Sequence, residues 1–308
     1  MTRSEASTLE RSATRQVFSP RTSGRRGWRP SAWRGARWLM RRKTLAVGLA
    51  IVLSVVILSL LSPVIAPADP AKIHIDQRLE GPAQGHLLGT DEFGRDILSR
   101  VLVGGRISLG VAAIAAIIIA GVGGVLGISS GYVGGMYDAI VGRVLDVIFG
   151  FPTLLLALAI VAIRGPSLTS AMLAISLNGI PGFARLARAV VMAERQRDYV
   201  EAARALGSPE WRIMARHILP NAVGPMLVTV TGILGYAILD EAALSFLGLG
   251  AQPPRASWGG MLNDSQGFLT EALWYSLVPG GIIFLTVLGF NFLGDGLRDA
   301  LDPRLRKG

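Results

Sequence analysis

Six stretches of this chain are apolar over roughly 20 residues, the length a helix needs to cross the hydrocarbon of a bilayer. They lie near 44–66, 107–130, 139–163, 169–192, 222–247 and 273–294, at times with a polar interruption. In hydrocarbon every backbone N–H and C=O must be satisfied inside the protein, so runs of this kind fold as helices. The expected class is an all-α polytopic membrane protein with six transmembrane helices. Some forty mostly polar residues precede the first run and nothing like a cleavage site follows it, so it is expected to be a span, not a removable signal.

Charge sets the expected sidedness. Residues 1–43 hold 12 Lys or Arg against two acids, Glu5 and Glu10, and so carry the whole formal charge of +10. Loops rich in Lys and Arg stay inside. With this arm in the cytoplasm, alternation puts 131–138, 193–221 and 295–308 on the same side. Those segments and the arm carry 21 Lys or Arg, against 7 in 67–106, 164–168 and 248–272. Both termini are therefore expected to be cytoplasmic. The chain divides into a disordered basic tail at 1–38, a first span with an extracytoplasmic segment at 39–104, a core at 105–294 with a cytoplasmic loop at 193–221, and a tail at 295–308. Trp28, Trp33 and Trp38 suit the headgroup level. A nucleic-acid-binding arm is the rival reading, and it makes residues 1–38 essential.

Several chemistries are excluded at once. The chain has no cysteine and only three histidines, His74, His86 and His217, none spaced as a metal pair. No Ser/His/Asp, Cys/His or HExxH constellation supports an intramembrane enzyme. The only lysines, Lys43, Lys72 and Lys307, do not end a Gly-rich turn, so there is no P-loop. The run GVGGVLG lies inside an apolar span without a preceding strand and is no dinucleotide loop.

Within the spans, Gly123, Gly127, Gly131 and Gly135 recur every four residues and put small surfaces on one helix face. Asn178-Gly-Ile-Pro181-Gly and Pro279-Gly-Gly permit bends where a span lines a path. Asp240 and Glu241 should face protein or water, since an ionised side chain at span depth costs about 2.5–3.5 kcal/mol on insertion scales. They are candidate path or gate residues with Asn178 and Pro181. They would also be the coupling carboxylates of an ion-driven secondary transporter, the alternative function. Asp146 and an Asp138–Arg143 pair are read as internal contacts. Asp91, Glu92 and Asp96 lie close together but are neutralised by Arg95 and Arg100, in a spacing that fits no standard calcium loop.

The stretch EAARALGSPEWRIMARHILPN, 201–221, is built differently. Tyr199, Val200, Ala203 and Leu206 form one face of a short helix, with Glu201 and Arg204 on the other. Gly207 supplies the left-handed residue that ends it. Ser208 as N-cap, Pro209 and Glu210 start a second helix, with Trp211, Met214 and Ile218 as its apolar line and Pro220 as its stop. Two short amphipathic helices around a glycine corner make a rigid elbow with a small-residue surface at Ala202 and Ala203.

The run Glu201-Ala202-Ala203, three residues, Gly207, nine residues, then His217-Ile218-Leu219-Pro220 resembles the EAA loop of bacterial ABC importer permeases. The chain departs from the general pattern at His217, where an aliphatic residue is common, in a manner typical of the peptide-importer branch. LGTDEFGRDILSRVLVGGRISL (88–109), GYVGGMYDAIVGRVLDVIFGFP (131–152), EAALSFLGLGAQPPRASWGGML (241–262) and NFLGDGLRDALDPR (291–304) resemble the C-type permease of oligopeptide and dipeptide importers. These motifs run from Leu88 to Arg304. The resemblance implies a type I importer permease of MetI-like fold in a bacterial cell membrane. Glu201, Ala202, Ala203, Gly207, Ile218, Leu219 and Pro220 would then couple it to an ATPase. It also implies a homologous permease, two ABC ATPase subunits carrying ATP and Mg, and an extracytoplasmic binding protein as partners, with no cofactor on this chain. Dipeptides, oligopeptides, nickel and glutathione are all carried by importers of this kind.

Overall fold

The computed structural model describes residues 43–301. The basic arm expected at 1–38 and the last part of the expected tail lie outside them. The helices are α1 (Lys43–Ile65), α2 (Ile97–Ile118), α3 (Gly124–Val133), α4 (Gly135–Phe149), α5 (Thr153–Arg164), α6 (Leu168–Arg195), α7 (Asp198–Ala205), α8 (Glu210–Ile213), α9 (Leu219–Phe246), α10 (Trp258–Ser265) and α11 (Leu273–Leu301). No strand occurs among the described residues, apart from the isolated bridges Ala83–His86 and Thr90–Asp96.

Helices cover all six expected stretches, with three corrections to their bounds. The second is part of a 37-residue helix, Ile97–Val133, in which a π-turn at Ile119–Gly123 joins α2 to α3 without a break. It starts ten residues before the expected 107 because Arg100 and Arg106 interrupt the apolar run but not the helix. Asp96 caps its start by accepting from the Ser99 N–H at 2.7 Å. The third expected span is two helices, α4 and α5, bent by 83°. Pro152 holds an extended backbone at φ −57°, ψ 136°, and Phe151 immediately precedes it. A proline ring disfavours helical geometry in the residue before it. The last helix runs on to Leu301, past the expected end at 294.

Four helices are long and apolar enough to cross a membrane, or five if the α4–α5 pair is one span. The expected fourth span falls on α6, which is 28 residues long but carries Ser170, Ser176, Asn178, Arg185 and Arg188. Ala171, Ala174, Ala184 and Ala187 are buried, and α6 packs on α2, α3, α5 and α9. Arg185 and Arg188 stay partly exposed and pair with Asp146 and Asp138 of α4.

Close helix seams set this packing. Cβ atoms at Gly123 and Gly131 would stand 2.9 and 2.7 Å from the Ile180 and Arg188 carbonyls, and one at Gly127 would overlap the Ala184 carbonyl. Three glycines four apart thus meet three α6 residues four apart, in parallel. Gly135, the fourth of the expected row, is not in the seam: Gly134 and Gly135, at φ 72° and 61°, turn the chain from α3 into α4. Two large apolar cores result, with a small third at Leu145, Ile180 and Ala184. One gathers Ile97, Val111, Ile238, Leu244, Trp258 and Tyr275 near the start of α2. The other gathers Ile119, Phe183, Val191, Val200, Ile213 and Ile218 toward the end of α3.

Candidate functional site

At the α3 end, α7 and α8 form the elbow foreseen in the sequence. Gly207 takes φ 75°, its N–H bonds the Arg204 carbonyl at 3.0 Å, and the Ser208 N–H bonds the Ala203 carbonyl at 3.1 Å. This paired closure is the Schellman stop. The second helix starts otherwise than expected. Ser208 makes no side-chain cap; the Pro209 carbonyl instead accepts the Arg212 and Ile213 N–H groups at 2.9 and 3.1 Å. Nor does Pro220 stop it. A π-turn at Met214–Ile218 carries α8 into α9, with Pro220 in the first turn. The widened turn relieves the clash between the proline ring and the carbonyl four residues back.

That π-turn also changes which residues are buried. Ile213 and Ile218, five apart, share the buried face with Val200 and Ala203. Leu206 and Trp211, expected on apolar faces, are 86% and 66% exposed. Of the expected coupling residues, Ala203 and Ile218 are buried, Leu219 is half-buried, and Glu201, Ala202, Gly207 and Pro220 are exposed. Glu201 lines an open hollow with Ser130, Asp138, Arg195 and Arg204.

The elbow is braced by polar contacts that local sequence patterns do not reveal. Tyr132 of α3 donates its hydroxyl to the Glu210 carbonyl at 2.8 Å and also bonds the Glu210 carboxylate. Glu210 in turn accepts from Arg204 Nε at 2.9 Å and holds that guanidinium above its ordinary pKa. Asn221 Nδ2 donates to the His217 carbonyl at 2.7 Å and to Tyr199 at 3.2 Å. Tyr199 donates to Glu194 at 2.5 Å. Burial first, and this bond second, push its phenol up.

Midway along the spans, Asn178 of α6 and Asp240 of α9 line one hollow of about 320 Å³ with Ile119, Thr153, Ile175, Gly179, Ile233, Tyr236 and Ala237. The other two expected path residues are elsewhere. Pro181 is buried within α6. Glu241 is fully buried, its Oε1 accepting the Ser245 hydroxyl at 2.7 Å. The charged pairs are also redistributed. Asp138 binds Arg188 at 2.5 and 2.6 Å instead of Arg143, and Asp146 binds Arg185 at 2.9 Å. Residues five apart on a helix lie about 140° apart around it, too far to pair.

The opposite end, where α2 begins, is closed by buried charge. Asp91 is fully buried, bonded by Arg95 Nε at 2.6 Å and paired with Arg100 Nε at 3.3 Å. Arg100 reaches Asp264 at 3.6 Å. Tyr275 donates to Glu92, whose carboxyl burial pushes above the usual range. His86 Nδ1 lies 3.0 Å from Asp96. No group of acids and histidines among the described residues could hold a metal. In this geometry Asp91, Glu92 and Arg95 of the GTDEFGRD segment are paired among themselves and with Arg100.

Residues 123–307 match the family described as the binding-protein-dependent transport system inner membrane component, and residues 31–82 match the N-terminal transmembrane domain of oligopeptide transport permease C. The chain belongs to this family of transport permeases. The permease is 45% identical over 277 residues to the dipeptide transport system permease protein DppC of Alkalihalophilus pseudofirmus, covering 90% of this chain and 91% of that one. It is 41% identical to the probable D,D-dipeptide transport system permease protein DdpC of Escherichia coli, covering 94% and 98%. It is 42% identical to the glutathione transport system permease protein GsiD of Pectobacterium atrosepticum, covering 94% and 93%. Its fold is that of a chain in the inward-facing MetNI methionine ABC transporter, at TM-score 0.55 and 18% identity, covering 66% of the permease and 96% of that chain. The permease is therefore a multi-pass protein of the bacterial inner membrane. The ion-coupled carrier reading of Asp240 and Glu241 is not favoured.

Proposed function

We propose that the permease supplies one half of the translocation path of an ATP-driven importer of di- or oligopeptides. A homologous permease forms the other half, an extracytoplasmic binding protein delivers cargo, and two ATPase subunits hold ATP and Mg²⁺. The chain itself is non-catalytic. Residues 193–221 lie on the cytoplasmic side, and Glu201, Ala202, Gly207, Leu206 and Trp211 meet the ATPase while Ala203 and Ile218 anchor the elbow from within. Leu219 and Pro220 lead the motion into α9. Asp240 and Asn178 face the path.

The observation that carries this reading is the elbow itself. Leu206 and Trp211 stand exposed on a corner fixed by a Schellman stop and by the Tyr132–Glu210–Arg204 contacts. Large apolar side chains held out by a rigid base are what a docking surface requires. The hollow beside Asp240 lies on α9, the same continuous helical segment that begins at Glu210.

The test is coexpression with the neighbouring subunits and purification of the complex. Glu201→Ala combined with Gly207→Pro is expected to abolish ATP-driven peptide uptake. A complex that retains uptake, or that never recruits two ATPase subunits, refutes the coupling assignment. A topology reporter at Pro209 is expected to read cytoplasmic.

A further inference from the structure

Asp240 and Glu241 are adjacent in sequence and differ in surroundings. One residue turns a helix by about 100°. Glu241 therefore points into the core toward Ser245, whereas Asp240 is half-buried on the wall of the 320 Å³ hollow, with no hydrogen bond or ion pair among the described residues. Ionisable groups at span depth are costly in lipid and persist where they meet water, a partner or passing cargo. Glu241 has one partner within the fold, Ser245 on Oε1, with Oε2 unpaired, whereas Asp240 has none among the described residues.

The chemistry around Asp240 is one-sided. The hollow contains the Asn178 amide, the Thr153 hydroxyl and the Tyr236 phenol, and no Lys, Arg or His. Tyr236 lies four residues before Asp240, on the same helix face. Ile119, Ile175 and Ile233 supply apolar lining. An anion would meet only repulsion at this carboxylate. A bare divalent ion asks for six or more oxygens, usually several of them carboxylates. A primary ammonium brings three N–H donors and no acceptor, which suits one carboxylate with neighbouring oxygens.

We propose that this hollow receives a primary ammonium group of the cargo, as at the free amino end of a peptide, with Asp240 as counter-charge and Asn178, Thr153 and Tyr236 as further acceptors. This rests on the importer reading above and adds a cargo-recognition step within the membrane. One carboxylate on an open wall holds the group only briefly. That is the condition for transport, since a site on a path must release what it binds.

The experiment uses the complete importer in proteoliposomes, with its binding protein inside the assay and unmodified dialanine as probe. Peptide uptake and ATP hydrolysis are measured on the same vesicles. Asp240→Asn is expected to lower the ratio of peptide moved to ATP hydrolysed about tenfold, the scale of losing one charge-assisted hydrogen bond. Asp240→Glu is expected to restore most of it. An unchanged ratio in Asp240→Asn overturns the proposal. So does a loss shared equally by the Asn and Glu variants, which marks a structural role. A wild-type complex that hydrolyses ATP yet moves no peptide overturns the cargo reading as well, and is thereby told apart from a failure at Asp240 alone.

Discussion

The two ends of the α2–α3 helix are held by opposite kinds of chemistry. At Ile97 the chain folds over buried ion pairs, with Asp91, Arg95, Asp96 and Arg100 all nearly inaccessible and Trp258 donating from its indole to the Val101 carbonyl at 2.9 Å. At Val133 the polar contacts are exposed, and so are two large apolar side chains of the elbow, Leu206 and Trp211. Buried charge that loses a partner cannot be rescued by water, so the first end has one arrangement. The second end shows water the groups a partner would cover. One end is closed on itself, and the other leaves large apolar side chains open.

That contrast can be broken by measurement. The largest loss of stability is expected for Asp91→Ala, which removes the shared partner of two buried guanidiniums, leaving Arg95 only Glu92 and Arg100 only Asp264, and should cost about 3–5 kcal/mol; a thermal unfolding midpoint in detergent that barely moves would contradict it. Asp96→Ala removes the cap of α2 and is expected to cost about 1–2 kcal/mol, read in the same assay. Leu206→Ala with Trp211→Ala should change stability by no more than about 0.5 kcal/mol each, as for exposed sites. It should nevertheless weaken recovery of the ATPase subunits with the permease. If the elbow pair destabilised the protein as much as Asp91→Ala, the distinction between the ends would disappear.

What could be read in advance depended on how local each cause is. Gly207 announced the end of α7 because a left-handed corner needs a residue without a Cβ. The seam of Gly123, Gly127 and Gly131 was legible because close helix approach selects small residues at helical spacing. Pro220 misled because a proline's preference is local, whereas the π-turn that accommodates it is favoured by burying Ile213 and Ile218 together. Arg188 could not be paired with Asp138 by spacing, since 50 residues separate them, and Tyr132 stands 78 residues from Glu210. Asn178 stands out as part of a bend-permitting Asn-Gly-Ile-Pro-Gly run, and Asp240 for its charge within an apolar one. Their meeting in one hollow required the packing of α6 against α9. Tyr236, four residues before Asp240, carried a helical signal that pattern reading could have found.

The unbroken helix from Ile97 to Val133 has 37 residues, and at 1.5 Å per residue it is about 55 Å long. It is a strut longer than the membrane is thick. Its first turn is clamped among the arginines of the cap, and its last turn bears on the elbow through Tyr132. A push delivered at one end is therefore felt at the other, unless the π-turn at Ile119–Gly123 absorbs it. That five-residue joint borders the hollow through Ile119, so the one change of helical pitch along the strut lies beside the Asp240 hollow.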